Sequence, residues 1–265
     1  MLIPAAPSHD VRARICGIPV TLCSEGEVLR AMDCNIRSER RPQYIVITNT
    51  ESMYYARRYA DHAQYIENAA FSCCDGVGVV LAGRAQRVKV SRIYGSTLLW
   101  RACEFGAPRG WKHFFYGGRP EVPKTLQQNL ERLFPNMQTV GTYSPPFRAL
   151  SPEEDEQEVK MINDSGCDIV WVGLGLLKQE RWIASHLGRI RAAWMVGVGA
   201  AFDYHAGTVA RAPLWLQRAG FEWLHRLCHQ PRMLVRNYRS FVFLGESLGC
   251  RPRRRKSAPS TLPFP

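Results

Sequence analysis

"QYIVITNTESMYYARRYADHAQYIENAAFSCCDGVG", residues 43–78, passes from a β-branched apolar run through a helical stretch to a second apolar run. The first run, 43–49, has the composition of a buried strand. The second ends on Asp75, the only acid between Glu67 and Glu104, with Gly76 and Gly78 directly after it. A lone carboxylate at a strand-to-helix turn either caps the helix or takes a proton from a ligand.

The same alternation continues outward. "KHFFYGG" (112–118) reads as a strand and "PEVPKTLQQNLERLF" (120–134) as the helix after it, with apolar residues at helical spacing. "MQTVGTYSPP" (137–146) follows, then a helix announced by Ser151, Pro152 and Glu154, the pattern of a capping box with proline at the first helical position. "CDIVWVGLG" (167–175) and "AAWMVGVGA" (192–200) supply two more buried strands. Strands alternating with helices imply an α/β fold, a mostly parallel Rossmann-like sheet with helices on both faces. Ligands of such sheets bind outside the carboxyl ends of the strands. The residues expected there are Asn49, Asp75, Gly117, Gly118, Gly173, Gly175 and the 197–199 turn.

Composition is that of a soluble globular protein, with 46% hydrophobic and 22% charged residues and no membrane-spanning apolar run. The N-terminus makes a poor signal peptide, so a cytoplasmic protein is expected. Nine cysteines without a C-x-x-C pair argue against a disulfide framework or a zinc site, and Cys73 and Cys74 should point to opposite faces of a strand. Charge is unevenly placed: of the net +12, residues 204–265 carry eleven basic residues against two acids. That asymmetry points to an anionic partner. Residues 1–210 read as the core, 211–250 as a basic helical appendage, and 251–265 as a disordered Arg- and Pro-rich tail. Within the appendage, 214–230 and 232–249 read as helices, and Arg232, Arg236 and Arg239 share one face. Trp215, Trp223, Phe241 and Phe243 suit a helix at a membrane interface. Removal of 204–265 is expected to leave a folded core.

Familiar motifs are incomplete. "GLGLLK" (173–178) and "GVGVVL" (76–81) lack the third glycine of a dinucleotide fingerprint, and there is no P-loop. No Asp-x-Asp is present, the acids at 153–156 suit a helix N-terminus, and His225 and His229 are the only histidines at a ligand-like spacing. Neither a cofactor nor a metal is expected. A Rossmann oxidoreductase and a basic nucleic-acid binder remain as rivals. The first has a defective fingerprint, and the second has no recognition motif.

The ordered set "CDGVGVV", "RIYGS", "FFYGG", "YSPPF", "DIVWVGLG", "KQERW", "GVGAAFDYHAGTVARAPLWLQRAGFEWLHRL" and "PRMLVRNY" resembles the TagA/WecG/CpsF glycosyltransferases over roughly residues 15–242. The resemblance implies transfer from a UDP-sugar to a polyprenyl-diphosphate-linked sugar at the cytoplasmic membrane face, inverting and without metal. It implies Asp75 as the base, Asn49 and Gln179 as polar partners, and Arg226, Arg232, Arg236 and Arg239 as appendage arginines. Those arginines would act within one subunit or from a neighbour in a homo-oligomer. This chain has Ile47, with Thr48 beside it as a binding candidate, where many relatives have threonine. Thr97 replaces an aspartate and Leu177 a proline. These departures bear on the donor sugar more than on the reaction type. An inverting displacement needs one base and no covalent intermediate, so a lone carboxylate suffices. Arginines and helix N-terminal amides are the available stabilisers of the leaving diphosphate.

Overall fold

A computed structural model describes residues 12–209, 216 and 233–249. It opens on a hairpin of β1 (Arg12–Ile15) and β2 (Ile18–Thr21), followed by α1 (Glu25–Arg37), which starts in a capping box between Ser24 and Glu27. Then come β3 (Gln43–Thr48), α2 (Thr50–Ala56), α3 (Ala60–Asn68), β4 (Phe71–Cys74), α4 (Val77–Ala85) and α5 (Gly95–Gly106). The second half contains β5 (Lys112–Gly117), α6 (Val122–Leu133), β6 (Gln138–Tyr143), α7 (Pro152–Asp164), β7 (Ile169–Gly173), α8 (Lys178–His186), β8 (Trp194–Gly197) and α9 (Ala201–His205). A last helix, here α10, spans Met233–Gly249. The capping box at Ser151 and Glu154 forms as the spacing predicts.

β3 to β8 make one parallel sheet in the order β4-β3-β8-β7-β5-β6. Alternate residues of each strand enter two separate cores. Ile45, Cys73, Phe115 and Trp171 face α1, α5, α6 and α9. Val46, Cys74, Phe114 and Val170 face the hairpin, α2, α3, α4, α7, α8 and α10. Cys73 and Cys74 thus diverge as adjacent strand residues must. The sheet order reverses between β5 and β7, because the chain leaves β5 toward β6 and leaves β7 toward β8. There Gly117, at φ 114°, lies so close to Gly173 that a Cβ would stand 2.8 Å from its carbonyl carbon.

The helical stretch after β3 is broken at 57–59 into α2 and α3. The hairpin and the helices α1 and α5 have no counterpart in the sequence reading. The expected helix over 214–230 and the tail 251–265 lie outside the described residues, Leu216 apart.

α10 packs along α2 and α4. Phe243, expected at an interface, instead points inward, 0% exposed within the second core, whereas Phe241 is 54% exposed. A cut before residue 204 is therefore not a clean excision, because it would take Ala206 from one core and Phe243 from the other. Ion pairs of opposite polarity flank the contact: Glu51 with Arg236 and Arg239, and Glu246 with Arg57 and Arg58. None of the helices among the described residues is long and apolar enough to cross a membrane.

If α10 belongs to the cooperative core, Phe243→Ala will cost about 3 kcal/mol in urea unfolding. Phe241→Ala should change stability by less than about 0.5 kcal/mol. Equal midpoints for the two variants would mean that α10 unfolds separately.

Candidate active site

Thr48 and Cys74 are partners in the parallel register of β3 and β4. The residues after them, Asn49 and Asp75, therefore leave the sheet side by side at neighbouring strand ends. The Asp75 N–H extends the ladder by donating to the Thr48 carbonyl at 2.9 Å. Its side chain is half-buried, and α4 follows with Gly76, which has no side chain to cap with, as its N-cap. Gly76 has φ 90° and ψ 154°, a backbone conformation that is essentially glycine-only. Burial, and then the Asp75 charge, push the Cys74 thiol up to about 12, so it stays protonated beside the carboxylate.

Asn49 is the N-cap of α2: its Oδ1 accepts the Ser52 N–H at 2.9 Å. That leaves the amide NH2 as its remaining donor group. Thr48 sits one layer below, fully buried, with its hydroxyl 2.8 Å from the Ser72 Oγ across the strands. The hydroxyl is thus used inside the sheet, which leaves the Thr48 backbone as the part of this expected binding residue nearest the rim. α4 reaches the same corner. A Cβ on Gly78 would collide with the Thr50 methyl and stand 3.6 Å from Leu244 of α10.

Gln179 lies in the first turn of α8, 5% exposed, beneath the end of β8. A Cβ on Gly197 would come within 2.9 Å of its Nε2. The amide donates to Glu180 at 3.1 Å, while its Oε1 is buried without a hydrogen-bond partner among the described residues. Of the other rim glycines, Gly117 and Gly173 serve packing. The Gly118 N–H donates to the Gly173 carbonyl at 3.0 Å, and a Cβ on Gly173 would strike the Phe202 ring at 2.7 Å. Gly175, at φ 83°, has open space where a Cβ would lie.

Two of the four appendage arginines fall within the described residues. Arg239 Nη1 lies 3.1 Å and Arg236 Nε 3.4 Å from opposite oxygens of Glu51, two residues beyond Asn49. Arg226 and Arg232 lie outside the described residues. Among those residues, no three His, Cys, Asp or Glu side chains converge as metal ligands.

The strand ends thus carry, in sheet order, Asp75, Asn49, the 197–199 turn over Gln179, Gly173–Gly175 and Gly117–Gly118, with α10 along the Asp75 side. The family model described as "Glycosyl transferase WecG/TagA/CpsF family" matches residues 13–257. The chain belongs to this family. It is similar to N-acetylglucosaminyldiphosphoundecaprenol N-acetyl-beta-D-mannosaminyltransferase from Staphylococcus aureus, including strains COL and MRSA252. Each is 30% identical over 184 residues, 69% of this chain and 70% of the relative. A member of the WecG/TagA/CpsF family is a glycosyltransferase, and the oxidoreductase and nucleic-acid readings fall. Sequence reading missed two groups at this site. Nothing in the sequence singles out Glu51 or Glu180 as buried, and only tertiary packing withdraws them from water.

The cap and any chemical role of Asn49 can be separated. Asn49→Ala should cost about 1 kcal/mol in chemical unfolding, and Asn49→Ser should restore it because serine also caps. A serine variant as unstable as the alanine one would show that the cap bond is not what Asn49 contributes to the fold.

Proposed function

We propose that this protein transfers a sugar from a UDP-sugar to a polyprenyl-diphosphate-linked sugar, inverting the anomeric centre without a metal. The observation that carries the reading is the pairing of Asp75 and Asn49 at adjacent strand ends, with Arg236 and Arg239 of α10 delivered to the next turn. Asp75 is the general base for the acceptor hydroxyl. It stands at the end of β4 beside Asn49, and the neighbouring Cys74 thiol is too poor an acid to compete as a nucleophile. Asn49 and Gln179 orient substrate hydroxyls or phosphate oxygens, and Gly175 leaves room for close backbone approach. Arg236 and Arg239, with Arg226 and Arg232, neutralise diphosphate charge. The printed names of the relatives support N-acetylmannosamine as the first donor sugar to test and a diphosphoundecaprenol-linked N-acetylglucosamine as the acceptor.

The test is UDP release from a panel of UDP-sugars with a short-chain, soluble lipid-diphosphate sugar, run with and without EDTA. Asp75→Asn should lower turnover about 10²–10⁴-fold while UDP still binds. Retention of more than a third of the activity would remove Asp75 as base. Loss of wild-type activity in EDTA, restored by Mg²⁺, would remove the metal-free mechanism.

Attachment to the anionic inner face of the plasma membrane belongs to the same reading. Leu234, Tyr238, Phe241 and Leu248 form an exposed apolar stripe on α10, with Tyr238 67% exposed. Such a stripe beside basic residues suits an interfacial helix. Binding to phosphatidylglycerol-containing vesicles should fall steeply with salt. The double variant Tyr238→Ser, Phe241→Ser should bind about tenfold more weakly. Unchanged vesicle binding in that variant would place the contact elsewhere.

A further inference from the structure

We propose that Glu180 is a positioning residue for transfer, holding the Gln179 amide so that its Oε1 faces a substrate hydroxyl at the carboxyl end of β8. The inference rests on the reading of Gln179 as a rim residue given above. Glu180 and Gln179 are consecutive in the first turn of α8 and both are buried, 2% and 5% exposed. Gln179 Nε2 donates to Glu180 Oε1 at 3.1 Å. An amide has one donor end and one acceptor end, so committing the NH2 to a carboxylate turns the carbonyl end the other way. That end is buried and has no hydrogen-bond partner among the described residues, and a Cβ on Gly199, in the turn after β8, would lie 3.5 Å from it. A buried acceptor without a donor costs free energy, and a substrate hydroxyl at this turn would satisfy it.

The surroundings couple this arrangement to a proton. Burial, with help from the Glu51 charge, pushes the Glu180 carboxyl up to about 7. The N–H groups of Glu180 and Leu177 and the Gln179 amide oppose the shift. From α3, Tyr65 approaches with a buried hydroxyl lacking a hydrogen-bond partner among the described residues, and His62 is held neutral, pushed down to about 4 by burial. From α2 comes Glu51, itself paired with Arg236 and Arg239 of α10. β8 contributes no ionisable side chain, and Lys178 and Arg181 of α8 are exposed. When Glu180 is ionised it can only accept, and Gln179 presents Oε1. When it is protonated its O–H can donate to Oε1, and the amide turns to present NH2 instead. Transfer should therefore rise with pH through about 7.

The experiment is the soluble-acceptor assay from pH 6 to 8.5 on the full chain and on E180Q, E180A, Q179A and the double variant Q179A/E180A. Wild-type kcat should show an inflection near 7 that disappears in E180Q, which keeps the size of the side chain and cannot ionise. E180A and Q179A should each lower kcat by about tenfold or more, with the double variant no worse than the poorer single one. Melting temperatures give a readout independent of activity. The folded-state pKa lies above the unfolded one, so wild type loses stability between about 4.5 and 7 as the buried acid is forced to ionise. E180Q escapes that loss, and its advantage over wild type should grow from pH 5 to pH 8. An inflection that persists in E180Q, or a double variant whose loss is the product of the two single losses, overturns the role of Glu180 while leaving Gln179 at the rim. Wild-type turnover in Q179A removes Gln179 from the site and the inference with it.

Discussion

Because β3 pairs in parallel with β4 on one side and β8 on the other, the three strands release their following residues at one edge of the sheet. Neighbouring strands lie about 4.8 Å apart, so residues leaving at matched register are forced into contact range. Asn49 and Asp75 become neighbours for this reason alone, although 26 positions separate them in the chain. Slipping either strand by one residue would turn Asp75 away and would also exchange the faces of Cys73 and Cys74 between the two cores. The alternating burial of β3 and β4 is therefore what holds the geometry of the carboxylate. The site needs no dedicated scaffold beyond a correctly registered core.

α10 is attached to this edge by two kinds of force with different tasks. The Phe243 side chain, wholly withdrawn from water, supplies the attraction. The ion pairs add little energy where their arginines reach solvent, as Arg236 and Arg239 do. Their value is directional. With Glu51 meeting two arginines near one end and Glu246 meeting two near the other, rotating or reversing α10 would set like charges together. That leaves Arg236 and Arg239 beside the first turn of α2, while the outer apolar stripe stays exposed. One helix thus has an inner face packed against α2 and α4 and an outer face of exposed apolar side chains.

Much of the sheet was legible because buried parallel strands are short, β-branched and interrupted by turn residues. Residues 43–49, 112–118, 167–175 and 192–200 all contain strands, and the capping box at Ser151 fixed a helix start to the residue. Strand order was not legible, since it depends on which helix covers which face. The hairpin Arg12–Ile15 and Ile18–Thr21 escaped because four-residue strands carry too little periodicity. The direction of Phe243 was misjudged for a different reason. An aromatic pair at 241 and 243 straddles a helix, and composition alone does not say which member faces in. The same holds for Glu180: its formula suggests solvent, and only the packing of α8 under β8 withdraws it. Asn49 was legible as a strand-end residue, yet its cap bond to Ser52 became visible only in three dimensions.

The start of α8 shows how much local conformation is given up for that placement. Leu177 adopts φ 71° and ψ −38°, outside the regions a branched side chain prefers. Holding a residue with a Cβ in such a sparsely populated conformation costs about 1–3 kcal/mol. The surroundings hold it there: the Gln179 N–H donates to the Gly175 carbonyl at 3.0 Å, and the Arg181 N–H to the Leu177 carbonyl at 3.2 Å. Gly175, at φ 83°, has already turned the chain two residues earlier. These two positive-φ residues send the chain sharply off β7 and start α8 with Gln179 beneath the end of β8. A relaxed Leu177 would change the direction of the first helical turn and carry both Gln179 and Glu180 away from Gly197. Strain at this residue and burial of the two polar side chains after it are thus one feature. It is the price of placing an amide and an acid under a strand end where neither would settle by itself.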